Sequence, residues 1–250
     1  MATKKGEVII YTDGSSRRNP GPGGWGSIVA YDDGGEKVVE LGGGENHTTN
    51  NRMELMAAIE ALAFVRNLSG VHAVDVRADS SYVINGITKW VAGWARNGWM
   101  NSKKEEVLNR DLWEALALVV ADLKTSGSKI SWRYTAGHSG IPGNERVDTI
   151  ATMYADKEKP KLFQGRREAY EVDLDNLEVR AGSAKQKKSP EEKARQKMKA
   201  YSYVSLVEGK IVKHATWAEC EKRVKGVRAT KFKKAVSAED EQSIVREWLG

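Results

Sequence analysis

The chain has 250 residues, 40% of them hydrophobic and 30% charged, enough for one large domain or two smaller ones with a sizeable core. Its longest apolar run, residues 115–121, is far below the ~20 residues of a membrane span. Only a short apolar block, residues 8–11, follows Lys4 and Lys5, too short for a secretory signal. The single cysteine, Cys220, forms no internal disulfide, so the expectation is a cytoplasmic chain with no membrane association. Charge is unevenly spread. Residues 1–156 carry 17 Lys and Arg against 19 Asp and Glu, a net −2, whereas residues 157–250 carry 23 against 15, a net +8. The basic half is a candidate polyanion grip, or simply a lysine-rich solvated surface.

Val8-Ile9-Ile10-Tyr11-Thr12 is an apolar, β-branched block stopped by Asp13-Gly14, which predicts a buried strand. Glycine and proline crowd residues 19–24. Residues 25–31 and 37–41 then predict two more strands, joined by the turn Asp32-Asp33-Gly34-Gly35. Over residues 51–66 the period becomes helical, with Leu55, Ile59 and Leu62 on one face. Residues 74–78 predict a strand, 80–87 a short helix, 112–124 a long helix, 129–134 a last strand and 144–154 a last helix. Three strands followed by alternating helices and strands predict an α/β fold, a mixed sheet covered by helices. Composition shifts after Asp156. Residues 185–199 hold seven Lys and Arg against two Glu and read as linker, although Ser189-Pro190-Glu191-Glu192 is a good helix start. Residues 201–250 regain aromatic and β-forming residues, with a helical stretch over 217–224. The expected organisation is a first domain over 1–156, a basic linker over 157–200 and a small module over 201–250.

Four acids stand where a polar site could form. Asp13 ends the first strand, Asp79 follows the strand at 74–78, Glu54 lies in the first turn of the helix at 51, and Asp148 lies near the start of the last helix. Each also has a local explanation: a turn at Asp13-Gly14, a capping box between Asn51 and Glu54, a helix cap at Asp79, a favoured helix N-terminus at Asp148.

Their context decides between these readings. Thr12-Asp13-Gly14-Ser15, Asn19-Pro20-Gly21-Pro22-Gly23-Gly24, Thr49-Asn50-Asn51-Arg52-Met53-Glu54-Leu55, Ala78-Asp79-Ser80-Ser81-Tyr82-Val83, and Gly137-His138 followed by Asn144-Glu145-Arg146-Val147-Asp148 resemble the motifs of type 1 ribonuclease H, in order and at compatible spacing. The resemblance covers residues 7–155. It implies a ribonuclease H-like five-stranded mixed sheet and an endonuclease that cuts the RNA strand of RNA–DNA hybrids, leaving 5′-phosphomonoesters. It also implies that Asp13, Glu54, Asp79 and Asp148 hold two Mg²⁺ ions, with Mn²⁺ as an alternative. That chemistry fits the residue types, since hard oxygen ligands suit Mg²⁺, and two ions can serve the attacking and the leaving oxygen. Packed carboxylates repel, so at least one pKa of the metal-free cluster is expected to rise.

By the same resemblance His138, ten residues before Asp148, takes a catalytic proton-transfer or product-release role on a glycine-flanked loop. Gly14, Ser15, Asn19, Asn50 and Asn51 match the positions that read the RNA strand, where a 2′-hydroxyl must be distinguished. Ser81 stands at a substrate-contact position often held by glutamine. Trp90, Trp94 and Trp99 resemble the family's helical handle, with Trp90 as its substrate-contact candidate. This handle is weakly basic, with Lys89, Arg96, Lys103 and Lys104 followed by Glu105 and Glu106.

In the tail, Tyr203-Val204, Thr216-Trp217-Ala218-Glu219-Cys220 and Phe232-Lys233-Lys234 resemble the small α/β hybrid-binding domain of eukaryotic ribonucleases H, related to a viroplasmin-type module. That domain usually precedes the nuclease, whereas here it follows. The resemblance places Tyr203 and Trp217 on the sugar backbone and Lys233 and Lys234 on phosphates, with double-stranded RNA as a second ligand and a monomer as the expected state. The competing readings are a non-catalytic hybrid- or RNA-binding protein on a nuclease fold, and a nuclease of this fold acting on DNA junctions. Retention of all four acids weighs against the first, and the Asn50–Glu54 segment and the tail weigh against the second.

Overall fold

The computed structural model describes residues 4–137, 139–178, 198, 200–225, 227 and 230–249. They divide into two compact units, 1–185 and 186–250. His138 and the helix start expected at Ser189 lie outside the described residues.

In the first unit β1 (Glu7–Ser16), β2 (Gly21–Asp32) and β3 (Glu36–Thr48) form an antiparallel meander. The turn between β2 and β3 closes as its Asp-Gly pattern predicts, with Asp32 Oδ1 accepting from the backbone N–H of Gly34 and Gly35. Helix α1 (Asn50–Arg66) leads to β4 (Ala73–Ala78), which runs parallel to β1. Short α2 (Ser81–Asn85), a π-helical turn (Gly86–Trp90) and α3 (Val91–Arg96) precede the long α4 (Arg110–Thr125). Strand β5 (Lys129–Tyr134) pairs parallel with β4, and α5 (Pro142–Ala155) follows. A sixth strand, β6 (Gln164–Arg166), pairs antiparallel with β3, giving the order β5-β4-β1-β2-β3-β6.

Alternation along the central strands sorts the core into two layers. Val8, Ile10 and Val29 face Leu55, Leu62, Trp113 and Leu116 of α1 and α4. Tyr11, Ile28 and Ala30 face Val147 of α5 on the other side. Burying each such side chain contributes roughly 1.5–3 kcal/mol, so both layers are needed to hold the sheet.

Three expectations change. The sheet has six strands, because the segment 160–177, assigned to the linker, folds onto the first unit. Its strand is three residues, Gln-Gly-Arg, with no apolar alternation to betray it. Strands β2 and β3 extend beyond the expected 25–31 and 37–41, through glycine-rich stretches at residues 21–24 and 42–44. Finally, the N-cap of α1 is Thr49, whose hydroxyl accepts from Arg52 N, and the N-cap of α2 is Ser80, which accepts from Val83 N. Glu54 and Asp79 are therefore not needed as caps.

In the second unit β7 (Ser202–Val207) is central between β8 (Lys210–His214) and β9 (Lys231–Ala235), all antiparallel. The β7–β8 hairpin turns through Glu208 and Gly209, both at positive φ (51° and 75°), as a type I′ connection requires. Helix α6 (Trp217–Val224) starts with a Thr216–Glu219 capping box, and α7 (Ala238–Leu249) closes the unit. Val204 and Ala235 pack against Ile244 of α7 as a small core. No helix among the described residues is long and apolar enough to cross a membrane.

Candidate active site

The parallel pairing of β1 with β4 brings two strand ends together, and with them the acids that terminate the strands. Asp13 lies near the end of β1, opposite Gly26 of β2, and Asp79 directly follows Ala78 of β4, which pairs with Thr12. Glu54 reaches the same point from the first turns of α1. Ligand oxygens of Asp13, Glu54 and Asp79 lie within 4.8 Å of one another. Two glycines permit the approach. A Cβ on Gly14 would stand 2.2 Å from Glu54 N, and one on Gly26 would stand 2.7 Å from Val147 O of α5. The first lets α1 close on β1, and the second lets α5 lie flat on β2 and carry Asp148 to the cluster.

Electrostatics sets this cluster apart from an ordinary acidic surface. Asp13 and Glu54 are buried, and among the described residues no Lys or Arg forms a salt bridge with either. Burial first, then the charges of Asp79 and Asp148, push Asp13 up to about 8, although the Gly14 N–H donates to its Oδ1 at 2.7 Å. Burial, then Asp13 and Asp79, likewise raises Glu54 well above the usual carboxylate range. Asn50 Nδ2 donates to Glu54 Oε1 at 3.2 Å, while the buried Glu54 Oε2 has no hydrogen-bond donor. An unsatisfied buried carboxylate oxygen among repelling neighbours, with oxygen donors only, fits a hard divalent cation.

The residues expected around this cluster fall into three groups. Gly14 and Ser15 continue β1, and Asn19 Oδ1 accepts from Asn50 N at 3.0 Å, so the Asn19 turn and the α1 N-terminus form one edge with exposed Asn51. Ser81 opens α2 and is exposed. Trp90, although 38% exposed, stacks within an aromatic group: its ring lies 5.6 Å from Trp94, which lies 5.7 Å from buried Trp113. The handle tryptophans are thus packing residues first.

The second unit presents an aromatic row. Tyr203 and Trp217 ring centroids are 5.6 Å apart, and Trp217 and Phe232 5.3 Å apart, with Trp217 and Phe232 39% and 53% exposed. None of the three belongs to the unit's core, which lies on the opposite face around Val204. Phe232 joins this row although the resemblance of its motif implies no role for it. Lys233 and Lys234, expected together, fall on opposite faces. Lys234 pairs with Tyr203 and shares its face, whereas Lys233 pairs with Val204 and reaches Glu247 of α7 at 3.0 Å.

A family model described as RNase H matches residues 5–156. Ribonuclease H of Alcanivorax borkumensis is 50% identical over 157 residues, 63% of this chain and 97% of that protein. Ribonuclease H of a Cyanothece species is 48% identical over 157 residues, 63% and 94% of the two chains. Among solved structures, LC9-RNase H1, described as a type 1 RNase H with the type 2 active-site motif, aligns with a TM-score of 0.53 at 29% identity, over 66% of this chain and 80% of that one. The acidic cluster at the strand ends and the match of residues 5–156 agree: the chain belongs to the RNase H family and is a ribonuclease H enzyme.

Proposed function

We propose that the chain hydrolyses the RNA strand of RNA–DNA hybrids at a Mg²⁺ centre held by Asp13, Glu54, Asp79 and Asp148, with the second unit gripping the hybrid. The observation that carries this is the convergence of three acids within 4.8 Å with Glu54 Oε2 unsatisfied. Divalent ions bound there supply the positive charge that lowers the barrier to attack on a phosphodiester, and Mn²⁺ can substitute because the donors are all oxygen. The chain's own residues do the rest. Asn50 holds one Glu54 oxygen, and the other would be left to hold a divalent ion. Asn19 fixes the Asn50 backbone, so the edge formed by Gly14, Ser15, Asn19, Asn50 and Asn51 is preorganised to meet a 2′-hydroxyl. Ser81 and Trp90 keep the substrate-contact roles that their motifs imply, and His138 the proton-transfer or product-release role implied by its motif. In the second unit Tyr203, Trp217 and Phe232 offer ring faces to the sugar backbone, with Lys234 beside them and Lys233 on the other face.

A hybrid labelled on either strand, incubated with and without Mg²⁺, tests the reading. Cleavage confined to the RNA strand, leaving 5′-phosphates and abolished by EDTA, is expected. Equal cutting of both strands, or cutting in excess EDTA, would overturn it.

A further inference from the structure

The segment after α5 is attached through two buried polar hubs, and both adjoin acids of the active site. The first hub is Glu40 on β3, whose side chain is completely buried. A carboxylate there requires charge and donors to compensate lost hydration. Arg146 of α5 donates from Nε and Nη2 at 2.7 and 2.8 Å, Tyr170 OH donates at 2.6 Å, and Phe163 N donates at 2.9 Å. Two of these four bonds come from the segment itself. Arg146 Nη2 also donates to Lys161 O at 3.1 Å, so the segment completes the arginine as well. The second hub is Leu174, fully buried against Tyr11, Ile28 and Val147, whose carbonyl accepts from Tyr11 OH at 3.0 Å and Arg77 Nη1 at 3.3 Å.

Both anchor points lie two residues from a cluster acid. Arg146 precedes Asp148 on α5, and Tyr11 precedes Asp13 on the same face of β1. A helix or strand transmits a shift over two residues almost undiminished, because its backbone hydrogen bonds fix the intervening dihedrals.

We infer that residues 160–177 form a strap that positions Asp148 and Asp13, with Tyr170 as a positioning residue acting through Glu40 and Arg146. This rests on the proposed metal role of those two acids. The strap touches no substrate. It sets the spacing of carboxylates from two elements, and a multi-carboxylate ion site tolerates only about 0.5 Å of error.

Tyr170→Phe in the full chain tests this, since it keeps the ring packed on Phe163 (centroids 4.8 Å apart) and deletes only the donor to Glu40. Leu174→Ala tests the other hub. Mg²⁺ affinity is read without substrate, from the Mg²⁺-dependent rise in melting temperature, and kcat is read separately at saturating Mg²⁺ and hybrid. Both variants are expected to weaken Mg²⁺ affinity roughly 3–10-fold, less than the 10–100-fold typical for a group bonded directly to a metal ligand, with kcat at saturation nearly kept. Val120→Ala, in the core on the α4 side, should lower the melting temperature with Mg²⁺ affinity unchanged. Unchanged Mg²⁺ affinity in Tyr170→Phe and Leu174→Ala, despite lowered melting temperatures, would overturn the strap's positioning role. Absence of any Mg²⁺ effect on the unsubstituted chain would instead overturn the metal site itself.

Discussion

Gly14 lies directly on the backbone of Glu54. A Cβ at position 14 would stand 2.2 Å from Glu54 N and 2.5 Å from Met53 C, and both neighbours are main chain that cannot swing aside. Gly14→Ala must therefore part the end of β1 from the start of α1, separating Asp13 from Glu54. An overpacked contact of this kind costs about 1–3 kcal/mol, while a 1 Å misplacement of reacting groups can cost about 10²-fold in rate. The expected variant is folded, modestly less stable, and slower by about 10²-fold at fixed Mg²⁺. Wild-type turnover in Gly14→Ala would show that the Asp13–Glu54 spacing is not set by this contact.

Asp13→Asn should abolish nearly all activity and Mg²⁺ binding while the fold survives. Its effect on metal-free stability runs the other way. Asp13 is held by burial and by the charges of Asp79 and Asp148 at a pKa near 8, so its ionised form opposes folding. Removing that charge should leave the metal-free melting temperature unchanged or raised near pH 9, above the pKa of Asp13. Calorimetric melting of both proteins in EDTA checks the sign, and a large loss of stability in the variant would contradict it.

The same shift fixes a pH dependence. A carboxyl whose folded pKa is about 8 against an ordinary 3.8 keeps its proton in the fold where the unfolded chain has lost it. The folded state then binds more protons between about pH 4 and 8, so metal-free stability falls as pH rises through that window. A bound cation needs ionised carboxylates, so Mg²⁺ uptake at pH 7 should release protons from the coupled cluster, and fewer as the pH rises past 8. Titration calorimetry in two buffers of different ionisation enthalpy measures this. Identical heats in both buffers at pH 7 would mean that no proton is displaced.

The fold was legible wherever burial leaves a period. The β1 block of Val8 to Thr12, the Leu55–Ile59–Leu62 face and the apolar stretch of α4 all face a packed layer, and such layers demand alternation or helical spacing. Asp13, Glu54, Asp79 and Asp148 were singled out through the motifs around them, not through their own spacing, and the structure brings the first three together. Two features were not legible. The glycine-rich ends of β2 and β3 fell outside the expected strands, because a residue lacking a side chain shows no alternation, yet Gly24 is small so that α5 can lie against the strand, a Cβ there standing 2.3 Å from Ala151 O. The strap was missed because its hold depends on single buried bonds, Tyr170 to Glu40 and Tyr11 to Leu174, between residues more than 100 apart in sequence. In the second unit Lys233 and Lys234 looked equivalent as neighbours in sequence, yet strand alternation sends them to opposite faces.

The strap also changes how the tail must be tested. Cutting after Asp156 would remove Tyr170 and Leu174 along with the second unit, so loss of activity there would say nothing about hybrid binding. Ending the chain after residue 178 keeps both hubs and removes the second unit. Binding to a polyanion releases counterions, and log K falls against log salt by roughly 0.9 per phosphate neutralised on a B-form duplex. The shortened chain should keep its cleavage rate at saturating hybrid, bind hybrid more weakly and show a shallower salt slope. Within the second unit, Trp217→Ala should account for much of the lost affinity with little change of slope, since its partners Tyr203 and Phe232 are uncharged rings. Stacking of this kind is worth about 1–3 kcal/mol per base in single-strand binders, which sets the scale for a ring on a sugar. Lys234→Ala should flatten the slope by about one unit, because Lys234 shares the face of Tyr203. Lys233→Ala should change it little, because Lys233 lies on the α7 face and pairs with Glu247 at 3.0 Å. Hybrid affinity measured across a salt series separates these cases. Equal slopes for the full and shortened chains would assign the second unit another task, and a larger effect at Lys233 than at Lys234 would place the nucleic acid on the wrong face of the sheet.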